Sequence, residues 1–411
     1  MDLNFVFNMF TDDQRSLVAL MKEFCEREVD RKKLNEMADA PIPPDATKEQ
    51  LMARIPWDLL SKAHDVGLRQ LPVPTEYGGG GYGGVGNWVT MAAVAEAAGY
   101  YGGQVARLFT ISWMGLSSFA AAPKHLQDEL YTDFMQDRRT FVAGSITEPD
   151  HGSDLLLPYD APGYGTGKVT AVPDGDYYII NGEKMFCTAG GVSNYINVFV
   201  RTEKEGHITQ SQTQFLFPTS TPGWSIARVN DMLGNEMTSN VQMRFDNCRI
   251  HKRYMVSELN KSFAIMRSAV AGKSLHAMGS IGETQRIWED MRDFAKSRIQ
   301  GGKPIIEHPN VGQLVAEADV LIRTARLLQY QFAWECDQET PGSLVNPLGF
   351  YYTFYWYKTM VQRVVQIGLE VYGGMAPQKD LPFEHWLRYN LGVNHGGSNG
   401  SLNLIKASHL L

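Results

Sequence analysis

The period of the hydrophobic pattern changes twice along this chain, and that double change restricts the fold more than any single residue does. Up to about residue 139 the apolar residues recur at helical spacing. Leu17, Val18, Leu20, Met21 and Phe24 form one such stripe, with Thr11 ahead of two aspartates as its N-cap. Further helices are expected near 57–66, 88–98, 105–121 and 124–135, around a Pro- and Gly-rich loop at 71–86. From about Thr140 short β-prone runs take over, at 140–146, 177–180, 195–201, 214–217, 224–229 and 241–245. In the last run Val241, Met243 and Phe245 alternate with Gln242 and Arg244, as in a strand with one wet face.

From about Ser257 the helical period returns. Val311, Leu314, Ala318, Leu321, Ala325, Leu328 and Phe332 step by three and four, the narrow seam of a helix bundle. Long helices are expected over 263–298, 309–336 and 347–372, with Asn346 as an N-cap before Pro347 and a short last helix from Ser398. The chain therefore reads as α+β. Residues 1–139 form an N-terminal helical domain, 140–253 a small central β-barrel or sandwich, and 254–411 a C-terminal four-helix-bundle-like domain.

Composition excludes several functions. Lys and Arg total 38 against 45 Asp and Glu, a net charge of −7, which opposes a nucleic-acid footprint. No apolar run approaches the roughly 18–20 residues of a membrane span, and Asp2 stands where a signal peptide carries a base. Cys25, Cys187, Cys248 and Cys336 lie far apart without a CxxC pair, so neither a disulfide framework nor a zinc knuckle is expected. The expected location is the cytoplasm.

Two GxGxxG matches, starting at Gly79 and Gly81, lie in a loop with seven glycines among the nine positions 78–86. Pro72 and Pro74 occupy the place of the buried strand that a dinucleotide fingerprint requires. Gly396 to Gly400 fits GxSxG, yet no acid follows it to complete a triad. The histidines form no metal-binding pair. Glu96 is expected on a solvated helix face.

Two segments carry chemistry: Ile146-Thr147-Glu148-Pro149-Asp150-His151-Gly152-Ser153-Asp154, and Asn181-Gly182-Glu183-Lys184-Met185-Phe186-Cys187-Thr188. Both are strand ends rich in hydroxyls and backbone donors, with an aromatic ring near a threonine, a surface suited to a flat heteroaromatic ring. Together with Asp231-Met232-Leu233-Gly234, Arg298-Ile299-Gln300-Gly301-Gly302, Val371-Tyr372-Gly373-Gly374 and Pro382-Phe383-Glu384-His385-Trp386-Leu387-Arg388, they give the chain its likeness. It resembles the acyl-CoA dehydrogenase family of flavoproteins over nearly its whole length.

The resemblance implies FAD, an acyl-CoA substrate, an electron-transfer flavoprotein as acceptor, and a homodimer or homotetramer. It implies that Ile146, Thr147 and Thr188 bond the flavin ring, that Phe186 lies beside it, and that Ser153 sits near pyrophosphate and substrate. Arg298, His308, Glu370, Gly373 and Gly374 would reach the FAD of a partner subunit, and Asn399 would also contact FAD. Lys273 and Gly397 would meet the substrate.

The resemblance breaks at the base. The family's carboxylate follows the arginine matched by Arg388 by nine residues, which falls on Gly397, or on Gly396 with a one-residue slip. Its alternative seat, 26 residues before Arg298, is Gly272. No acid follows Glu384, which leaves His395 as the nearest titratable neighbour of the turn. Three functions stay open at this stage. The chain oxidises an acyl-CoA, bulky or cyclic, with a base from elsewhere; it performs a monooxygenase-like flavin reaction; or it is a non-catalytic partner subunit.

Overall fold

A computed structural model describes residues 10–84, 86–120, 122–156, 167–234, 236–262, 270–339, 347–393, 396 and 400–411. The helices of the first part are α1 (Asp12–Glu28), α2 (Arg31–Asp39), α3 (Lys48–Ala53), α4 (Trp57–Asp65), α5 (Trp88–Gly102), α6 (Val105–Ala120) and α7 (Lys124–Gln136). Thr11 caps α1 as a capping box. The Gln14 N–H donates to Thr11 Oγ1 at 3.2 Å, and the Thr11 N–H donates to Gln14 Oε1 at 3.0 Å.

The middle holds β1 (Val142–Ser145), β2 (Thr170–Asp174), β3 (Tyr177–Cys187), β4 (Tyr195–Arg201), β5 (Gln212–Pro218), β6 (Trp224–Val229) and β7 (Val241–His251). They form one curled sheet ordered β1-β4-β2-β3-β7-β6, with β5 pairing β4. Strand β7 alternates in burial along part of its length, as the sequence pattern requires of a strand with one wet face. The last part holds α8 (Val270–Ser297), a short hairpin of β8 (Ile299–Gln300) and β9 (Lys303–Pro304), α9 (Pro309–Asp337), α10 (Pro347–Tyr372), α11 (Pro382–Val393) and α12 (Gly400–Ser408). The expected starts at Phe263 and Ser398, and the cap Asn346, lie outside the described residues.

Helix α5 is apolar on nearly every face and almost wholly buried, and it forms the centre of the molecule between α1, α8 and α9. Its backbone touches that of α8. A methyl group at Gly99 would sit 1.8 Å from the Gly279 carbonyl oxygen, and one at Gly282 would sit 2.0 Å from that of Glu96. Replacing Gly282 with alanine therefore forces the helices apart. We expect a loss of at least about 1–3 kcal/mol, the range for overpacked cores, read as an earlier denaturant midpoint; an unchanged midpoint would contradict the close approach.

Glu96 corrects the sequence expectation. It is fully buried in α5 rather than solvated. Arg326 Nε donates to its Oε1 at 2.6 Å and the Tyr330 hydroxyl to its Oε2 at 2.7 Å, so the acid is neutralised within the core. Among the described residues no helix is long and apolar enough to cross a membrane.

Candidate active site

A cavity of about 430 Å³ opens between the ends of β1 and β3, helix α6, and the N-terminal halves of α8 and α10. Its first wall is built by the two chemistry-bearing segments, which the fold ties together. Lys184 is completely buried; its Nζ donates to the Ile146 carbonyl at 2.9 Å and to Glu148 Oε1 at 2.8 Å. Burial pushes the Lys184 ammonium below its usual range, while Glu148 opposes that shift. Glu148 also accepts the backbone N–H groups of Lys168 and of Val169, the latter at 3.2 Å. The Met185 N–H donates to the Thr147 carbonyl at 2.7 Å.

Between Lys184 and Cys187 the register of β3 against β7 shifts, a bulge that re-aims the intervening side chains. There Phe186 adopts φ +53°, a region that ordinary side chains rarely enter, and its ring stays half exposed on the cavity. Thr147 and Thr188 line the same wall, and among the described residues neither hydroxyl has a partner. Ile146 and Ser153 complete it, and His151 and the Gly152 N–H both bond Asp154, at 2.7 and 2.6 Å. Two partnerless hydroxyls beside an exposed aromatic ring fit a flat ring with hydrogen-bonding edges. These residues fit FAD.

The second wall is cationic. Lys273, His276 and Ser280 descend one face of α8, and Phe354, Tyr357 and Lys358 project from α10. Lys358 Nζ donates to the Gly396 carbonyl at 2.8 Å, beneath the turn where the family carboxylate is expected. Burial, with Lys406 and Lys273 nearby, pushes the Lys358 ammonium down to about 7, and burial brings Lys406 to about 8. Burial also lowers Lys273. His276 is driven to about 3 by burial, Arg107 and Lys273, so its ring is neutral; its Nδ1 lies 2.5 Å from Thr110 Oγ1. Among the described lining residues there is no carboxylate.

The structure thus brings together Ile146, Thr147, Ser153, Phe186, Thr188, Lys273 and Gly396. It places Arg298, His308, Glu370, Gly373 and Gly374 elsewhere. The Phe294 and Tyr372 rings, 4.8 Å apart, put the Arg298 and Gly373 turns at one end of the bundle. Arg298 lies eighteen residues beyond Ser280 along α8, about 27 Å at the helical rise. His308 there bonds the Gln300 carbonyl at 2.9 Å, and Glu370 is exposed. His395, Gly397 and Asn399 lie outside the described residues. Arg107, His276, Tyr357 and Lys358 were not singled out from sequence. One signal was present: Lys358 is the sole charged residue between Pro347 and Gln362, in a run of aromatics.

Comparison with known proteins agrees with this geometry. The profiles "Acyl-CoA dehydrogenase, N-terminal domain", "middle domain" and "C-terminal domain" match residues 11–122, 143–248 and 264–405. The 3-(aryl)acrylate reductase of Clostridium sporogenes is 26% identical over 390 residues, 94% of this chain and 98% of its own. A cyclohexane-1-carbonyl-CoA dehydrogenase of Geobacter metallireducens is 24% identical, with 84% of this chain and 87% of its own covered. The fold is shared with butyryl-CoA dehydrogenase from Megasphaera elsdenii at TM-score 0.79 and 19% identity, over 98% of both chains. The prolyl acyl carrier protein oxidase AnaB superposes at TM-score 0.83 and 17% identity, over 98% of this chain and 99% of that one. With three consecutive domain profiles matched and one wall shaped for the flavin, the chain belongs to the acyl-CoA dehydrogenase family of FAD-dependent oxidoreductases acting on CH–CH groups.

Proposed function

We propose that this protein oxidises the α,β-bond of a bulky acyl-CoA thioester and that Lys358, rather than a carboxylate, takes the α-proton. The observation that carries this reading is the amine bonded beneath the Gly396 turn in a cavity whose described lining holds no acid. FAD held by Thr147, Phe186 and Thr188 would supply the acceptor for the β-hydride. A neutral amine that donates to the Gly396 carbonyl carries the lone pair needed to take the α-hydrogen. Taking the proton turns the amine into an ammonium, and Lys273 offsets the negative charge that develops on the thioester oxygen. His276 is a poor candidate for this proton, because a ring already held neutral by burial, and further by Arg107 and Lys273, resists a charge.

The Gly396 seat carries no side chain, which leaves room for a branched or cyclic acyl group. The distant Arg298 and Gly373 turns suit a second copy's FAD, so we infer a homodimer or homotetramer. An electron-transfer flavoprotein in the cytoplasm completes the reading.

The test is anaerobic bleaching of the flavin by straight, branched and cyclic acyl-CoA esters across pH. The base must be neutral, so the bleaching rate should fall about tenfold per pH unit below about 7 and level off above it. A rate independent of pH from 6 to 9, or no bleaching by any ester, would overturn the assignment.

A further inference from the structure

The part of the cavity lined by Arg107, Ser280 and Tyr357 is polar, and its chemistry is unsuited to a hydrocarbon tail. Along α6, Arg107, Ile111 and Met114 line the cavity in turn, and Gly115 beyond them packs on Val142 of β1. Arg107 therefore stands about two helical turns, roughly 10 Å, from the sheet. There its Nη1 donates to the Tyr389 hydroxyl at 3.3 Å, and its Nε is buried with no partner among the described residues. Tyr357 donates to Ser280 Oγ at 3.0 Å beside it, and Thr110 meets His276. On α8, Ser280 is likewise two turns, about 10 Å, from Lys273.

We propose that the acyl group this cavity accepts ends in a carboxylate, held by the Arg107 guanidinium with the Ser280 and Tyr357 hydroxyls around it. The inference rests on reading the cavity as an acyl-thioester site. A guanidinium presents a planar fork that meets a carboxylate through paired N–H donors, and an orphaned buried Nε is the donor such a fork would use. The charges already present favour an anion: the groups that shift His276 and Lys358 are cations, namely Arg107, Lys273 and Lys406. The nearest acid recorded from the neighbouring elements, Glu283, lies one turn beyond Ser280, shares a crevice with Tyr389, Arg31 and His385, and acts electrostatically on Tyr357 and Tyr389. Burial pushes Glu283 up to about 7, so it is a weak counter-charge. A methyl-ended chain would desolvate Arg107 and the hydroxyls without replacing their bonds.

The test uses the FAD-loaded protein with two CoA esters of equal length, one a mono-CoA ester of a linear dicarboxylic acid, the other ending in methyl. Flavin bleaching gives kcat/KM, and calorimetry gives Kd without turnover. The carboxylate ester should be preferred by about 10²-fold or more in both readings. Arg107→Met should abolish the preference and Arg107→Lys should retain part of it, with flavin content reporting folding. Equal Kd values for the two esters, or an equal loss for both on Arg107→Met, would overturn the proposal. If neither ester bleaches the flavin yet the carboxylate ester still binds tighter through Arg107, the oxidation reading fails and the carboxylate subsite stands.

Discussion

Lys358→Arg should lower the rate of flavin reduction by an acyl-CoA about 10²–10⁴-fold, the usual contribution of a positioned general base, while the protein keeps its flavin. Arginine keeps a donor for the Gly396 carbonyl but does not deprotonate in a protein, so it has no lone pair to offer. A role limited to holding the turn would survive this exchange; a role as base would not. Lys358→Met removes both functions, so comparison of the two variants separates them. A Lys358→Arg enzyme with rates within a factor of a few of the parent, and an unchanged pH profile, would refute the base. The same amine leaves a thermodynamic signature. Its folded-state value, about 7, lies below its ordinary 10.5, so the buried ammonium penalises the fold fully below about pH 7. That penalty is relieved between about 7 and 10.5, so stability relative to Lys358→Met should rise with pH across that window.

Lys184→Met should cost about 3–5 kcal/mol, because it strands the Glu148 carboxylate in a site where both partners are nearly inaccessible. Glu148 would keep its two backbone donors from Lys168 and Val169, yet its countercharge would be gone. Lys184 also fastens the Ile146 carbonyl, one residue before Thr147, so flavin retention should weaken together with stability. Denaturant unfolding followed by tryptophan fluorescence, with FAD release measured in parallel, checks both. The double variant with Glu148→Leu should recover much of the loss, since removing both charges leaves nothing stranded. A single variant within about 1 kcal/mol of the parent would mean that the pair is not the tie described here.

The sequence made the three-part layout legible because each part keeps its own period over many residues. The helix at 347–372 is recovered to the residue, and the one at 309–336 within one. Helix α2 was missed because its nine residues bury only Leu34 and Ala38, too little for an apolar stripe. Strand β2 was missed because four of its five residues face water and one of these is a proline. Glu96 was misjudged as a single polar residue when its surroundings held the answer. Met91 to Ala98 is apolar on every face, so an acid within it had to be buried and paired.

The flavin wall was readable for a related reason: its residues come from two short contiguous segments whose side chains meet across one sheet end. The opposite wall was not readable. Arg107 and Lys358 are 251 positions apart in the chain, and only the packing of α6, α8 and α10 brings them to one cavity. The Lys184 link between the two segments also escaped notice, since nothing local to either segment signals that a lysine will be wholly enclosed.

The contact between Gly99 and Gly279, and between Gly282 and Glu96, has a consequence for selectivity. Where two backbones lie against each other with no side chain between them, neither helix can slide or roll without a collision. Lys273, His276 and Ser280 are thereby fixed like graduations on a ruler whose zero is the flavin. Chain length would then be gauged by the rigid rise of a helix, and altering the reach of this enzyme would call for resetting that seam rather than trimming the residues that touch the substrate.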